Sequence, residues 1–149
     1  MLTYLPAKTE QYEPFLQLTQ DQASGYLEGT LELMKMTWEE FSGLFKSVGQ
    51  VYGVYAEGQA AGYFWIEERK KILHLHGLIL KKEFQGQGIG TQVLHDLEAR
   101  YQDRMDCIEL GVHGSNIRAK KLYERVGYET VKTYDDLGFV VMQKRLVKM

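Results

Sequence analysis

Three glycines fall within five positions of the segment Gln85-Gly86-Gln87-Gly88-Ile89-Gly90-Thr91, which joins an apolar stretch to an amphipathic one. Glycines leave the backbone N–H groups of such a turn uncovered, and a helix that begins directly after it adds the positive end of its dipole. A turn of this kind binds phosphate groups. Its glycine spacing does not match the G-x-G-x-x-G dinucleotide pattern. It does not match the P-loop pattern either, because no lysine follows Gly90. The segment therefore predicts a pyrophosphate site of another kind, with a ligand-free glycine-rich turn as the alternative.

Two histidines, His74 and His76, precede this loop and lie two residues apart on the apolar stretch. On a β-strand, this spacing directs both side chains to the same face of the sheet. Histidine titrates near neutral pH, so the pair could accept a proton during catalysis. Two hydrogen-bonded sheet histidines without a catalytic role are an equal alternative, and Glu67, Glu68 and Glu109 are other candidate bases. A metal site is disfavoured because no third ligand is suitably spaced nearby.

Positioning these residues requires a sheet and helices, and the hydrophobic periodicity predicts both. The predicted strands are residues 2–4, 51–56, 60–67, 72–80, 106–112, 128–134 and 139–145. The predicted helices are residues 10–18, 26–36, a short helix ending near Gly49, and residues 88–101 and 118–126. Thr37 and Glu40 form a capping-box pattern at the start of the third helix, and Gly127 occupies the position of a left-handed C-terminal cap.

This order of elements predicts a mixed α+β fold, with a sheet covered by helices. Helices come first, then an antiparallel meander, then strand–helix–strand–helix–strand–strand. The strand–helix–strand unit over residues 72–112 is expected to be parallel and right-handed. The length of 149 residues fits one domain spanning residues 1–149.

Two blocks of sequence resemble the GNAT superfamily of N-acetyltransferases. The glycine loop resembles its acetyl-CoA signature, Arg/Gln-x-x-Gly-x-Gly/Ala, and a second block is similar to the segment Asn116-x-x-Ala119-x-x-Leu122-Tyr123-x-x-x-Gly127-Tyr128. The resemblance covers residues 72–128, and the strand order extends it over nearly the whole chain. Lys82 departs from the pattern, since many members carry proline there. The family fold is a mixed, mostly antiparallel, twisted sheet of about seven strands flanked by four to five helices, with strands 4 and 5 splayed apart.

The resemblance also implies roles for individual residues toward acetyl-CoA as cosubstrate. The segment Leu78, Ile79 and Leu80 would lie along the pantetheine arm, with the N–H of Leu78 stabilising the oxyanion. Tyr123 would protonate the departing thiolate. The implied cofactor-binding set is Leu78, Ile79, Leu80, Gln85, Gly86, Gln87, Gly88, Ile89, Gly90, Thr91, Asn116, Ala119 and Tyr123. Arg118, Lys120 and Lys121 are expected on a solvated helix face, from which one could meet the 3′-phosphate.

The local pattern His74-Leu75-His76-Gly77-Leu78 is similar to the paired-histidine strand of arylalkylamine N-acetyltransferases, where the pair relays the amine proton through water. This likeness implies His76 as the nearer base and His74 as its extension. The expected reaction is direct acetyl transfer from acetyl-CoA to a primary amine of a small molecule, without an acyl-enzyme or a metal. The alternatives are acetylation of a peptide N-terminus or lysine and a non-catalytic acyl-CoA-binding module.

Composition limits the partners and the compartment. The net charge of −2, with mixed acids and bases, disfavours a nucleic-acid surface. No apolar run is long enough for a membrane span, and the N-terminus lacks the plan of a signal peptide. The single cysteine, Cys107, suits a reducing compartment, so a cytoplasmic protein is expected. The first two helices and the loop before the β-hairpin are expected to supply the acceptor pocket, and an exposed strand at residues 139–145 could pair across a homodimer.

Overall fold

The computed structural model describes residues 1–147, apart from the side chain of Tyr26. Its strands are β1 (Leu2–Pro6), β2 (Gln50–Ala56), β3 (Gln59–Arg69), β4 (Ile72–Leu80), β5 (Cys107–His113), β6 (Glu129–Tyr134) and β7 (Phe139–Arg145). Its α-helices are α1 (Tyr12–Gln22), α2 (Ser24–Met34), α3 (Trp38–Ser47), α4 (Ile89–Tyr101) and α5 (Ile117–Val126). Within this part of the chain, no helix is both long enough and apolar enough to cross a membrane.

The strands form one seven-stranded sheet with the order β1-β2-β3-β4-β5-β7-β6. The pair β4–β5 is parallel, and the other neighbouring pairs are antiparallel. The predicted mixed, mostly antiparallel sheet with flanking helices is therefore confirmed. Residues 139–145 do form a strand, but the expectation that it is an exposed edge is wrong. β7 pairs with β5 on one side and with β6 on the other, so its backbone groups are already used.

Local sequence signals set the ends of several helices. The Thr37 hydroxyl accepts the Glu40 N–H at 3.2 Å, and the Glu40 carboxylate accepts the Thr37 N–H at 2.9 Å, as the capping box predicts. Gly127 ends α5 with a φ of 110°, a conformation that favours glycine. The α1–α2 boundary differs from the prediction, because α1 continues to Gln22 and only Ala23 separates it from α2.

Hydrophobic clusters pack against both faces of the sheet. On one face, α4 and α5 cover a cluster that includes Leu73, Leu75, Val93, Leu94, Leu97 and Ile108. On the other face, α1, α2 and α3 cover a largely aromatic cluster: Phe15, Leu16, Leu27, Phe41, Phe45, Val51, Tyr63 and Trp65. Phe45 contacts Tyr63 and Trp65 edge-on, with ring centroids 5.3 and 5.1 Å apart. These contacts hold α3 on the sheet.

The centre of the sheet opens between β4 and β5. The two strands pair only from Ile72 with Cys107 to Leu75 with Leu110, although both continue beyond that point. β5 stays paired with β7 as far as His113, and β4 stays paired with β3 as far as Leu80. The predicted splay between strands 4 and 5 is therefore present, and it leaves a gap that the facing strand edges do not fill.

A β-bulge in β4 lies where the splay begins. Trp65 and Ile66 of β3 are adjacent, yet they pair with Gly77 and Leu75, so His76 is the additional residue. Such a bulge bends its strand and increases the local twist. It also changes which residues face each side: Leu73 and Leu75 join the α4–α5 cluster before the bulge, and Leu78 packs against that cluster after it.

Truncation of Phe45 tests the contribution of the aromatic cluster to stability. Phe45 is 1% exposed, so Phe45→Ala should lower the free energy of unfolding by about 3–5 kcal/mol through lost burial and a residual cavity. The neighbouring Leu44 is 37% exposed, and Leu44→Ala is the matched control, with an expected loss of less than about 1 kcal/mol. Urea denaturation followed by tryptophan fluorescence measures both, and equal losses would contradict this packing.

Candidate active site

A cleft of about 410 Å³ occupies the gap between the diverging strands. One wall is the end of β4, the second is α5, and the floor is the turn that leads into α4. The junction between α1 and α2 reaches the same cleft from the other face of the sheet. Its lining residues are Gln22, Ala23, Leu78, Ile79, Leu80, Gln85, Gly86, Gly88, Ile89, Gly90, Thr91, Asn116, Arg118, Ala119, Leu122, Tyr123 and Arg125.

The floor of the cleft is the positive end of a helix. Gly88 is the N-cap of the 13-residue α4 and has a φ of 82°, a left-handed conformation that favours glycine. Because glycine has no side chain, no side-chain hydrogen bond caps this end of α4. The first N–H groups of a helix have no partner within the helix. The turn therefore presents backbone donors to the cleft, in the arrangement that binds phosphate.

The third glycine of the loop has a packing reason. A Cβ atom at Gly90 would lie 3.3 Å from Leu122 Cδ2 of α5, which is closer than an ordinary van der Waals contact. Glycine thus lets α5 approach the first turn of α4. This close approach brings the α5 wall against the loop and defines the width of the cleft at its floor.

α5 contributes the second block of the sequence pattern. Asn116 is the N-cap of α5, where its Oδ1 accepts the Ala119 N–H at 3.1 Å. Ala119 and Tyr123 follow on the same face of the helix, and both line the cleft. The Tyr123 side chain is largely buried, with 9% of the residue exposed. The structure therefore brings Tyr123 into the same cavity as the glycine loop and the end of β4.

The residues that sequence reasoning assigned to cofactor binding converge with one exception. All of them line the cleft except Gln87, whose side-chain Nε2 instead donates to the Glu83 carbonyl at 2.9 Å. Sequence reasoning missed Gln22 and Ala23. Gln85 Nε2 donates to Gln22 Oε1 at 2.9 Å, so the α1–α2 junction is tied to the loop. No local signal in the sequence indicates this contact, which joins residues far apart in the chain.

The two histidines lie beside the cleft rather than in its wall. Their rings face the same side of the sheet, stacked with centroids 5.9 Å apart, and the His76 ring lies 4.8 Å from that of Trp65. His76 Nε2 is 2.8 Å from Glu67 Oε1, and His74 Nδ1 is 3.3 Å from Glu109 Oε2. The predicted common face is therefore present, and each imidazole is paired with a carboxylate.

Burial and pairing change the titration of this group. Burial, supported by the nearby Arg69 cation, holds the pKa of His74 below its ordinary value, so His74 is neutral at pH 7. The hydrogen bond from His76 holds the pKa of Glu67 below its ordinary value, with a smaller contribution from Arg69. Glu67 is therefore an ionised carboxylate across the neutral range. The arrangement combines a neutral imidazole, able to accept a proton, with a fixed negative charge.

A comparison of the sequence with models of protein families identifies the family of this chain. The sequence model of the acetyltransferase (GNAT) family matches residues 12–128, a span that includes the cleft, the glycine loop and both histidines. The chain belongs to the GNAT family.

Two curated relatives are similar in sequence to parts of this GNAT chain. An uncharacterized N-acetyltransferase of Methanocaldococcus jannaschii is 36% identical over 83 residues, which cover 54% of this chain and 53% of the relative. The chain thus matches about half the length of that protein. A probable spermine N(1)-acetyltransferase of Bacillus subtilis subsp. natto is 30% identical over 104 residues, covering 63% of this chain and 68% of the relative.

A solved GNAT structure has the same fold. The PaiA N-acetyltransferase of Thermoplasma acidophilum, determined in complex with coenzyme A, superposes with a TM-score of 0.72. The two sequences are 18% identical, and the superposition covers 97% of this chain and 99% of the other. Within residues 1–147, no group of three or more His, Cys, Asp or Glu side chains is arranged to hold a metal ion.

The Glu67–His76 pair makes a testable prediction about titration. The pKa of Glu67 should lie below 4.5, its ordinary value, and should rise toward that value in His76→Leu, because the imidazole donor is lost. Since the folded-state pKa is lowered, the pair stabilises the fold above the ordinary pKa and loses this contribution as the pH falls through the lowered one. NMR titration of the Glu67 carboxyl carbon measures the shift. His95→Leu, an exposed substitution on α4, is the control, and an unaltered Glu67 pKa in His76→Leu would refute the pairing.

Proposed function

We propose that this chain is an N-acetyltransferase that transfers the acetyl group of acetyl-CoA directly to a primary amine of a small molecule. The observation that carries the proposal is the cleft between β4 and β5. The uncapped start of α4, the end of β4 that lacks a β5 partner and the largely buried Tyr123 all line this one cavity. The family membership and the coenzyme A complex of the PaiA neighbour support the same cosubstrate.

The shape and chemistry of the cleft fit an anionic acyl carrier. The amides at the start of α4 would hold the pyrophosphate of coenzyme A. The end of β4 from Leu78 to Leu80 has no β5 partner, so its backbone groups would hydrogen-bond the amides of the pantetheine arm as if it were a neighbouring strand. The N–H of Leu78 would stabilise the negative charge that develops on the acyl oxygen. When bound, acetyl-CoA supplies a thioester carbonyl that a neutral amine can attack.

Tyr123 is the proposed acid. Transfer forms a carbon–nitrogen bond and breaks the carbon–sulfur bond, so the sulfur leaves with an electron pair and needs a proton. A thiol has a pKa of about 8.5 and a tyrosine hydroxyl about 10, so a phenol held at the sulfur can donate a hydrogen bond and then its proton. The proposal is supported by the position of Tyr123, which lines the same cavity as the end of β4.

His76, assisted by His74, is the proposed base. An alkylamine with a pKa of about 10.4 is protonated at neutral pH and must lose a proton before it attacks. His76 lies two residues before Leu78 on β4, and its carboxylate partner Glu67 would attract an ammonium group and stabilise an imidazolium. Because neither imidazole lines the cleft, the proton would pass through water, as the likeness to arylalkylamine N-acetyltransferases implies.

One observation favours a small amine over a peptide as the acceptor. The spermine N(1)-acetyltransferase of Bacillus is a relative whose name states a polyamine substrate. A peptide N-terminus or lysine is the second acceptor class, and it becomes an outcome of the experiment below.

Thiol release from acetyl-CoA tests the proposed reaction and its acid. The wild-type protein should release thiol with at least one amine in a panel of polyamines, arylalkylamines, amino acids, aminoglycosides and short peptides. Tyr123→Phe should lower kcat about 100-fold because the proton donor is lost, while the Kd for coenzyme A stays within about threefold.

Tyr128→Phe is the matched control for the tyrosine substitution. The Tyr128 ring lies 5.8 Å from that of Tyr123, and its buried hydroxyl has no hydrogen-bond partner among residues 1–147. Removing that hydroxyl should leave kcat unchanged. Coenzyme A binding without thiol release for any amine would favour a non-catalytic acyl-CoA-binding module, and release only with peptides would favour the peptide acceptor.

The double substitution His74→Gln and His76→Gln tests the proposed base. Loss of both imidazoles should lower kcat/KM at pH 7 about 100-fold, and the acidic limb of the pH–rate profile should lose its histidine-dependent inflection. His95→Gln on α4 controls for the general loss of a histidine. A pH–rate profile that is the same in the double variant and the wild type would remove the histidines from the mechanism.

A further inference from the structure

Arg118 lies against the glycine loop. It is the second residue of α5, it lines the cleft, and its Nη2 is 2.7 Å from the position that a Cβ atom of Gly86 would occupy. Gly86 itself has a φ of 75°, so its peptide groups are turned in the left-handed conformation beneath the guanidinium. The exposed Arg118 side chain therefore extends from the first turn of α5 over the loop.

The charge of Arg118 is not balanced by the protein. No carboxylate within residues 1–147 forms an ion pair with it. The first turns of α4 and α5 contain no acidic residue, and no Asp or Glu is among the cleft-lining residues of the described chain. The guanidinium is thus placed near the positive ends of two helices, where a cation is unfavourable. In a chain of net charge −2, this local excess of positive charge indicates an anion-binding site.

Arg118 is placed to complete the site from the side opposite the backbone donors. The amides of the loop and of the first turn of α4 form the floor, and the guanidinium lies over Gly86 at the start of the same loop. A planar guanidinium can donate two parallel hydrogen bonds to adjacent phosphate oxygens. An anion between the floor and Arg118 would balance all of these positive groups at once.

We infer that Arg118 is a pyrophosphate-binding residue that closes over the glycine loop and joins α5 to α4 through the bound anion. The inference rests on the proposed function, because coenzyme A is the proposed source of the pyrophosphate. It differs from the sequence-based expectation, in which a residue of this helix face could meet the 3′-phosphate. The position of Arg118 over Gly86, at the start of the loop, assigns it to the pyrophosphate instead.

Titration calorimetry with coenzyme A and with dephospho-coenzyme A tests this assignment. Both ligands contain the pyrophosphate, and only coenzyme A contains the 3′-phosphate. Arg118→Gln should weaken both by about the same factor, roughly tenfold or more, because a charge-assisted contact is lost. Lys121→Gln removes the same charge from an exposed position of α5 outside the cleft, and it should leave both affinities within about twofold.

The remaining outcomes separate this inference from the proposed function. Equal affinities in the wild type and Arg118→Gln would overturn the inference alone, and so would a loss confined to coenzyme A, which would place Arg118 at the 3′-phosphate. A wild-type protein that binds neither ligand would overturn both proposals. The thermal midpoint of ligand-free Arg118→Gln should be no lower than that of the wild type; a clear decrease would show a structural role and contradict the unbalanced charge.

Discussion

β4 and β5 hold together over four residue pairs and then separate, and the candidate site depends on this interruption. Backbone N–H and C=O groups inside a protein are normally paired, so an interior strand that lacks a neighbour on one side can bind a ligand along that edge. The interruption is stable because each strand remains paired on its other side, β4 with β3 and β5 with β7. The hydrophobic clusters on the two faces hold the helices that line the gap.

The electrostatics of the cleft follow from the same geometry. α4 and α5 both begin at the cleft, and Gly90 allows Leu122 of α5 to pack closely against the first turn of α4. Negative charge is kept on the other side of the sheet, where Glu67 and Glu109 pair with the two histidines. The amides proposed to hold coenzyme A and the carboxylates proposed to attract the amine are therefore on opposite faces of the sheet. This separation is the physical basis for the proposed direct transfer between two bound substrates.

Local and non-local features differ in how far the sequence could predict them. The glycine loop, the Asn116 cap and the Gly127 cap depend on residues within a few positions, and the structure has each of them as predicted. The common face of the histidines follows from the period of a strand. The bulge at His76 was not predicted, because it depends on the register between β3 and β4. The same limit explains the error over β7: strand order at the end of the chain is decided by packing, not by the composition of the strand.

The most direct test of the account is an NMR titration of ¹⁵N-labelled protein with coenzyme A, followed at the backbone amides. Saturable shifts are expected for the amides from Gly88 to Thr91, together with shifts at Leu78 and Leu80. The amide signals of β1 and β2, which lie away from the cleft, should not shift. If the loop amides did not shift at millimolar coenzyme A, the proposed function would be contradicted. The uncapped start of α4 would then not be the anion site on which that function depends.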